Sequence, residues 1–308
     1  MGTPEFAANI LRVMLEEKFD IISVYTQEDK KIGRNQNLEK SAVKKIAEEY
    51  GIEIFEPTKF DEDIACEIEN QKPDLIVVSA YGKILPKSIL EIPKYGIVNT
   101  HPSALPKYRG ASPIQNAILK GENKTVATIM CLVEKVDAGD ILRQEETEIG
   151  KTENYPELSQ RLSEISARLL IETIPLLTTG KIEPKKQDET RATFCQLIKK
   201  EDGKIDWSDT AKDIYNRFRA FYAWPGIFTY FKRDDRDLRL KLNKIILDEN
   251  SKENDFASGE VFEENNMIKI KTGKGNIILE EIQLEGKNEM KAIDFVRGYA
   301  NFVGSVLK

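Results

Sequence analysis

The chain has 308 residues, of which 40% are hydrophobic and 32% charged, and its net charge is −6. That length suits two cores rather than one, and that balance excludes wholesale disorder, while the acidic excess argues against broad, sequence-blind nucleic-acid binding. No apolar run approaches a membrane span, no secretory leader pattern opens the chain, and the three dispersed cysteines, Cys66, Cys131 and Cys195, argue for a reducing cytoplasm rather than a disulfide framework. The acidic excess lies in residues 1–203, so the charge-balanced remainder repels an anionic partner less.

The first elements alternate. Thr3 is expected to cap a helix with Pro4 and Glu5 in its first turn and Phe6, Ile10, Leu11, Met14 and Leu15 on one face. Ile21–Thr26 reads as a strand, Ser41–Tyr50 as a helix, Ile52–Phe55 as a strand and Asp61–Asn70 as a helix. Leu75–Ala80 is a continuous apolar run, as a strand buried on both faces requires. Gly96–Thr100 (strand), Ile114–Lys120 (helix), Val126–Val133 (strand) and a long helix over Tyr155–Thr179 follow. This α/β order predicts a doubly wound, Rossmann-like, mostly parallel sheet over residues 1–180. Such folds open on a strand, yet Met1 already stands at the first glycine-containing turn, so a further strand ahead of Met1 is expected.

Residues 181–203 are polar and lysine-rich and read as a linker. Residues 204–308 hold one short helix, Ala211–Phe221, and then β-like runs at Ile227–Phe231, Leu238–Leu247, Gly259–Phe262, Met267–Thr272 and Asn276–Glu281. Short strands at close spacing predict a smaller C-terminal β-barrel domain.

His101 is the chain's one histidine, in Asn99-Thr-His101-Pro-Ser103 at the end of a predicted strand. Reactive groups in open α/β sheets gather at the carboxyl ends of strands, and alternation sends Asn99 and His101 to one side and Thr100 to the other. An amide beside an imidazole can steady a carbonyl oxygen and move a proton near neutral pH. Asp137, in Val136-Asp137-Ala-Gly139-Asp140, follows the strand Val126–Val133. It is either the third member of this group or part of an ordinary turn, with Asp140 competing for the role.

The run Asn99-Thr-His101-Pro-Ser103-Ala-Leu-Pro106-Lys107-Tyr-Arg-Gly110, with Val136-Asp137-Ala-Gly139 beyond it, resembles the signature of the folate-dependent formyltransferases. The resemblance implies catalysis by Asn99, His101 and Asp137, with 10-formyltetrahydrofolate as formyl donor and no metal. It also implies a folate site lined by Ser103, Ala104, Leu105 and Pro106, where Ala104 replaces the family's more frequent Leu, and an OB-like C-terminal domain. Gly2–Ala7, Ala80–Lys87, Ile205–Trp207, Arg219–Phe221 and Trp224–Gly226 resemble the branch acting on initiator methionyl-tRNA. In that branch Arg34, within the loop Asp29–Leu38, would meet the tRNA, and Lys30, Lys31, Lys185, Lys186, Lys199 and Lys200 are further candidates for phosphate contacts. A cytoplasmic monomer with no membrane partner is expected. The rival reading is a formyltransferase for a nucleotide-linked amino sugar, which shares the core triad but fits the opening turn and the Gly33-Arg34 loop less well. The absence of a GxGxxG after an early strand argues against a dinucleotide-dependent dehydrogenase.

Overall fold

The computed structural model describes the whole chain except residues 33–36, 234 and 252–254. It divides into two compact units. The first comprises Met1–Ile114, Asn123–Ile149 and Glu157–Leu197; the second comprises Gln115–Glu122, Gly150–Pro156 and Ile198–Lys308.

Helix α1 (Glu5–Glu16) opens the first unit with Pro4, not Thr3, at its N-cap. The Thr3 hydroxyl is engaged elsewhere, donating to the Tyr81 carbonyl at 3.1 Å, and Pro4 brings no amide that needs a cap. Phe6, Ile10 and Met14 form its buried face. Strand β1 (Ser23–Tyr25) is followed by the antiparallel pair β2 (Lys30–Ile32) and β3 (Asn37–Glu39). Helix α2 (Ala42–Glu49) then starts at Ser41, whose hydroxyl accepts the Lys44 N–H at 3.0 Å. Strand β4 (Glu53–Phe55) lies parallel to β1. Helix α3 (Glu62–Gln71), capped by Asp61, leads to β5 (Ile76–Ser79).

Beyond the short α4 (Lys87–Leu90) comes β6 (Ile97–His101), parallel to β5. Met1 and Gly2 run between β1 and β5: the Gly2 N–H donates to the Tyr25 carbonyl at 3.0 Å, and the Ser79 N–H to the Met1 carbonyl at 2.9 Å. A cavity of about 650 Å³ opens beside them, lined among others by Ile10, Met14, Val24, Ile76 and Val77. After β7 (Arg109–Gly110) and α5 (Pro113–Leu119), β8 (Lys124–Cys131) runs antiparallel to β6, and β9 (Ile141–Glu148) antiparallel to β8. The sheet is thus parallel through its first strands and closes on two antiparallel ones. Helix α6 (Tyr155–Thr178) covers it with Leu158, Leu162, Leu169 and Leu170 buried. The chain then returns to the sheet, where Lys185 exchanges backbone hydrogen bonds with Ile141 on β9, and β10 (Phe194–Cys195) pairs in parallel with β7.

In the second unit α7 (Ala211–Ala220) starts at Thr210, whose hydroxyl accepts the Asp213 N–H at 3.1 Å. Six strands follow: β11 (Ile227–Arg233), β12 (Arg236–Leu247), β13 (Val261–Glu264), β14 (Met267–Lys271), β15 (Asn276–Leu284) and β16 (Met290–Lys291). They form one antiparallel sheet in the order β11-β12-β15-β14-β13, with β16 on the far part of β15. The sheet curls in the OB-like manner, and register shifts at Lys244 mark irregular pairing between β12 and β15. Helix α8 (Ala292–Gly298) adds Phe295 to an aromatic core with Phe231 and Phe302. Lys269 is buried on β14 and bonds Asp248 at 2.8 Å and Glu264 at 2.7 Å. Among the described residues, no helix is long and apolar enough to cross a membrane.

Candidate active site

Strand β6 sets the site. All five of its residues are buried, and it is hydrogen-bonded on both edges, by β5 and by β8. Such a strand has no freedom to shift register, because a slip of one residue would turn every side chain over. Thr100 points to one side, where its hydroxyl donates to Ser79 Oγ at 2.8 Å. Asn99 and His101 project to the other side. The Asn99 amide has no hydrogen-bond partner among the described residues. Its amide hydrogens are therefore not committed to any described acceptor.

His101 is 4% exposed. Its Nε2 lies 2.9 Å from the Tyr108 carbonyl, which can only accept, so Nε2 carries a hydrogen and donates. In the neutral ring Nδ1 is then the acceptor nitrogen. Nδ1 faces Asp137 Oδ2 at 3.7 Å, longer than a hydrogen bond. Oδ2 also accepts the Gly110 N–H at 2.7 Å. Asp140 pairs through its backbone carbonyl, which accepts the Cys131 N–H at 2.9 Å, and its carboxylate makes no contact with His101.

Asp137 adopts a left-handed backbone, φ 48°, a conformation costing about 1–2 kcal/mol outside glycine. Its restraint comes from residues that sequence reasoning did not single out. Gln187 Nε2 donates to the Asp137 carbonyl at 2.8 Å and to the Gly139 carbonyl at 2.7 Å. Gln187 Oε1 in turn accepts from Arg109 Nε at 3.1 Å and Nη2 at 2.8 Å. Arg109 is fully buried, and its remaining bonds go to Glu189 at 2.8 and 3.2 Å. Arg109, and beside it Lys135, hold the Glu189 carboxyl down to about 2. No local pattern could have found Gln187, which reaches Asp137 across fifty positions of chain.

The Ser103–Pro106 turn is built inward. Ser103 is fully buried, its hydroxyl donates to the Lys107 carbonyl at 2.7 Å, and its own carbonyl accepts from Thr128 Oγ1 at 2.7 Å. Gln144 Nε2 donates to the Leu105 carbonyl at 3.2 Å. Ser103 and Leu105 therefore shape the loop that aims the Tyr108 carbonyl at His101, while half-buried Ala104 and Pro106 keep surface available. Arg34, expected to meet tRNA, lies outside the described residues. Lys185, Lys186, Lys199 and Lys200 are exposed. Burial pushes the Cys131 and Cys195 thiols up, which disfavours thiolate chemistry at either. Among the described residues, no group of three His, Cys, Asp or Glu side chains could hold a metal ion. The cavity beside β1 is a separate feature, with none of Asn99, His101 and Asp137 in its lining.

Comparison with known proteins places the chain in a family. Residues 1–174 match the formyl transferase family model, and residues 197–300 match the model for the formyl transferase C-terminal domain. The chain belongs to the formyl transferase family. A curated relative, the methionyl-tRNA formyltransferase of Caldicellulosiruptor saccharolyticus, is 44% identical over 311 residues, covering 100% of this chain and 98% of the relative. Among solved structures, the fold is similar to WlaRD, a sugar 3N-formyl transferase crystallised in the presence of dTDP and 5-N-formyl-THF. That match has a TM-score of 0.64 at 24% identity and covers 93% of this chain and 97% of the other. A methionyl-tRNA formyltransferase from Clostridium thermocellum matches at TM-score 0.50 and 27% identity, covering 66% of this chain and 86% of that one. The chain is a formyl-transferring enzyme.

Proposed function

We propose that this enzyme transfers the formyl group of 10-formyltetrahydrofolate to the α-amine of initiator methionyl-tRNA, as a cytoplasmic monomer. The observation that carries the reading is the end-to-end relationship, at 44% identity, to a methionyl-tRNA formyltransferase. The unpartnered Asn99 amide beside the His101–Asp137 pair gives that relationship a chemical basis.

The amine forms the new carbon–nitrogen bond, the bond from the formyl carbon to N10 breaks, and in net one proton leaves the amine while one arrives at N10. Asn99 Nδ2 donates to the formyl oxygen as negative charge grows there, a kind of contact whose loss costs about 10²–10³ in rate. His101 keeps its Nε2 hydrogen on the Tyr108 carbonyl and uses Nδ1 for the proton delivered to N10. Asp137 stands by Nδ1 with a carboxylate already fixed by the Gly110 N–H, so the imidazolium form meets an oriented negative charge. Half-buried Ala104 and Pro106 offer a surface for the folate, and Arg34 is assigned to the tRNA acceptor arm.

The test is a formyl-transfer assay with 10-formyltetrahydrofolate and two acceptors, initiator methionyl-tRNA and a UDP-amino sugar. Formylation of the tRNA alone is expected. Formylation of the sugar alone would overturn the substrate assignment while leaving the site chemistry standing.

A further inference from the structure

The catalytic carboxylate is held from two directions, and one of them has no part in the chemistry. The Gly110 N–H fixes the Asp137 carboxylate, and Gln187 fixes its backbone. We propose that Gln187 is a positioning residue for formyl transfer: its amide bridges the fully buried Arg109 guanidinium to the Asp137 and Gly139 carbonyls and so sets the Asp137 carboxylate against His101 Nδ1.

Every hydrogen-bonding position of this amide is in use. Both Nε2 hydrogens go to backbone carbonyls, at 2.8 and 2.7 Å, and Oε1 takes two hydrogens from Arg109. Only an amide meets this demand, since a carboxylate in its place would set an acceptor oxygen against two carbonyls, and a hydrocarbon would leave the guanidinium short of partners. The amide also cannot turn over, because Oε1 would then face the carbonyls and Nε2 the cation.

The two carbonyls it holds belong to the left-handed Asp137 itself and to Gly139 two residues on, and that backbone state persists only where its surroundings over-determine it. Released, this turn relaxes toward an ordinary conformation and takes the carboxylate off its 3.7 Å contact with Nδ1. Arg109 is a firm anchor for the bridge. Its backbone N–H donates to the Thr193 carbonyl at 2.9 Å within the β7–β10 pairing, and Glu189 neutralises its charge. The segment from Gln187 to Cys195 thereby acts on the reaction without touching a substrate.

This inference rests on the reading of Asp137 as the partner of His101, and a double-mutant cycle keeps the two separate. Gln187→Glu preserves shape, and Gln187→Ala removes the bridge, serving also if the first variant is insoluble. Each is compared with Asp137→Asn and with the double variant. The expected result for either Gln187 variant is a kcat lower by about 10- to 100-fold, as for a misplacement on the order of an ångström, with KM for folate and tRNA within about twofold. In the Asp137→Asn background the same Gln187 change is expected to cost almost nothing further. Wild-type kcat in both Gln187 variants would overturn the proposal, as would losses that simply multiply in the double variant. A fall in Tm with KM raised and kcat kept would also overturn it, as that is the mark of a structural residue. Full activity in Asp137→Asn itself would instead sink the reading of Asp137.

Discussion

Gly139 stands two residues beyond Asp137, and a single methyl group there tests how tightly the turn bearing Asp137 is built. A Cβ added at Gly139 would lie 1.8 Å from the Cys131 carbonyl oxygen and 2.8 Å from its carbon. Cβ atoms essentially never come within 3.0 Å of such a neighbour, so one side must move by at least about 1.2 Å. Neither side can yield freely. Cys131 ends β8 in register with Val98, its N–H is bonded to the Asp140 carbonyl, and the Gly139 carbonyl is held by Gln187. The displacement therefore falls on the 137–140 turn. Misplacing a reacting group by about 1 Å costs on the order of 10²-fold in rate, so Gly139→Ala is expected to lower kcat by about 100-fold. Overpacking of this kind should also cost about 1–3 kcal/mol of stability. Steady-state formyl transfer and thermal unfolding measure the two effects. Gly180→Ala is the control: its Cβ meets nothing within 4 Å, and its φ of 67° costs only backbone strain of about 1–2 kcal/mol, so stability falls but kcat does not. A Gly139→Ala enzyme with wild-type kcat and Tm would refute the tight-turn argument.

Two further outcomes are expected. His101→Ala should lower turnover by about 10²–10⁴ with the fold intact, and Asp137→Asn should be more damaging than Asp140→Asn; the reverse order would identify the wrong carboxylate. Lys269→Ala should cost about 3–5 kcal/mol in urea unfolding, because Asp248 is left buried without its partner, whereas Glu264→Gln, at a half-exposed carboxylate, should cost much less. Burial lowers the Lys269 pKa, but its bonds to Asp248 and Glu264 outweigh that and carry it above 10.5. The stabilisation it gives is therefore whole below pH 10.5 and is lost as pH climbs through the raised value.

What could be read from the residues was whatever a short window encodes. The apolar run Leu75–Ala80 became β5 and Gly96–Thr100 became β6, while the long amphipathic stretch became α6 within a residue of its expected end. Asn99 and His101 were legible because strand alternation and strand ends are local facts. Strand β9 was not, since Leu142 is its one buried residue and Arg143, Glu145, Glu146 and Glu148 put charge on both faces and blur an alternating pattern. Nor does an apolar run carry direction, and so the antiparallel course of β8 became visible only through its partners. The Thr3 cap failed for a similar reason, its hydroxyl being claimed by Tyr81 far along the chain. Gln187, sitting in a lysine-rich stretch that reads as a solvated linker, has meaning only once Arg109 and Asp137 are beside it.

The chain's one imidazole is also its most informative reporter. Its Nε2–H is buried and bonded to the Tyr108 carbonyl, so that hydrogen is sheltered from exchange with solvent. Histidine labelled with nitrogen-15 would give a spectrum with one ring and two inequivalent nitrogens, free of any assignment problem. The Nε2 signal would report the integrity of the 103–108 loop, and the Nδ1 signal the protonation state opposite Asp137. Adding folate and tRNA in turn would then show, at single-atom resolution and without turnover, which substrate prepares the proton.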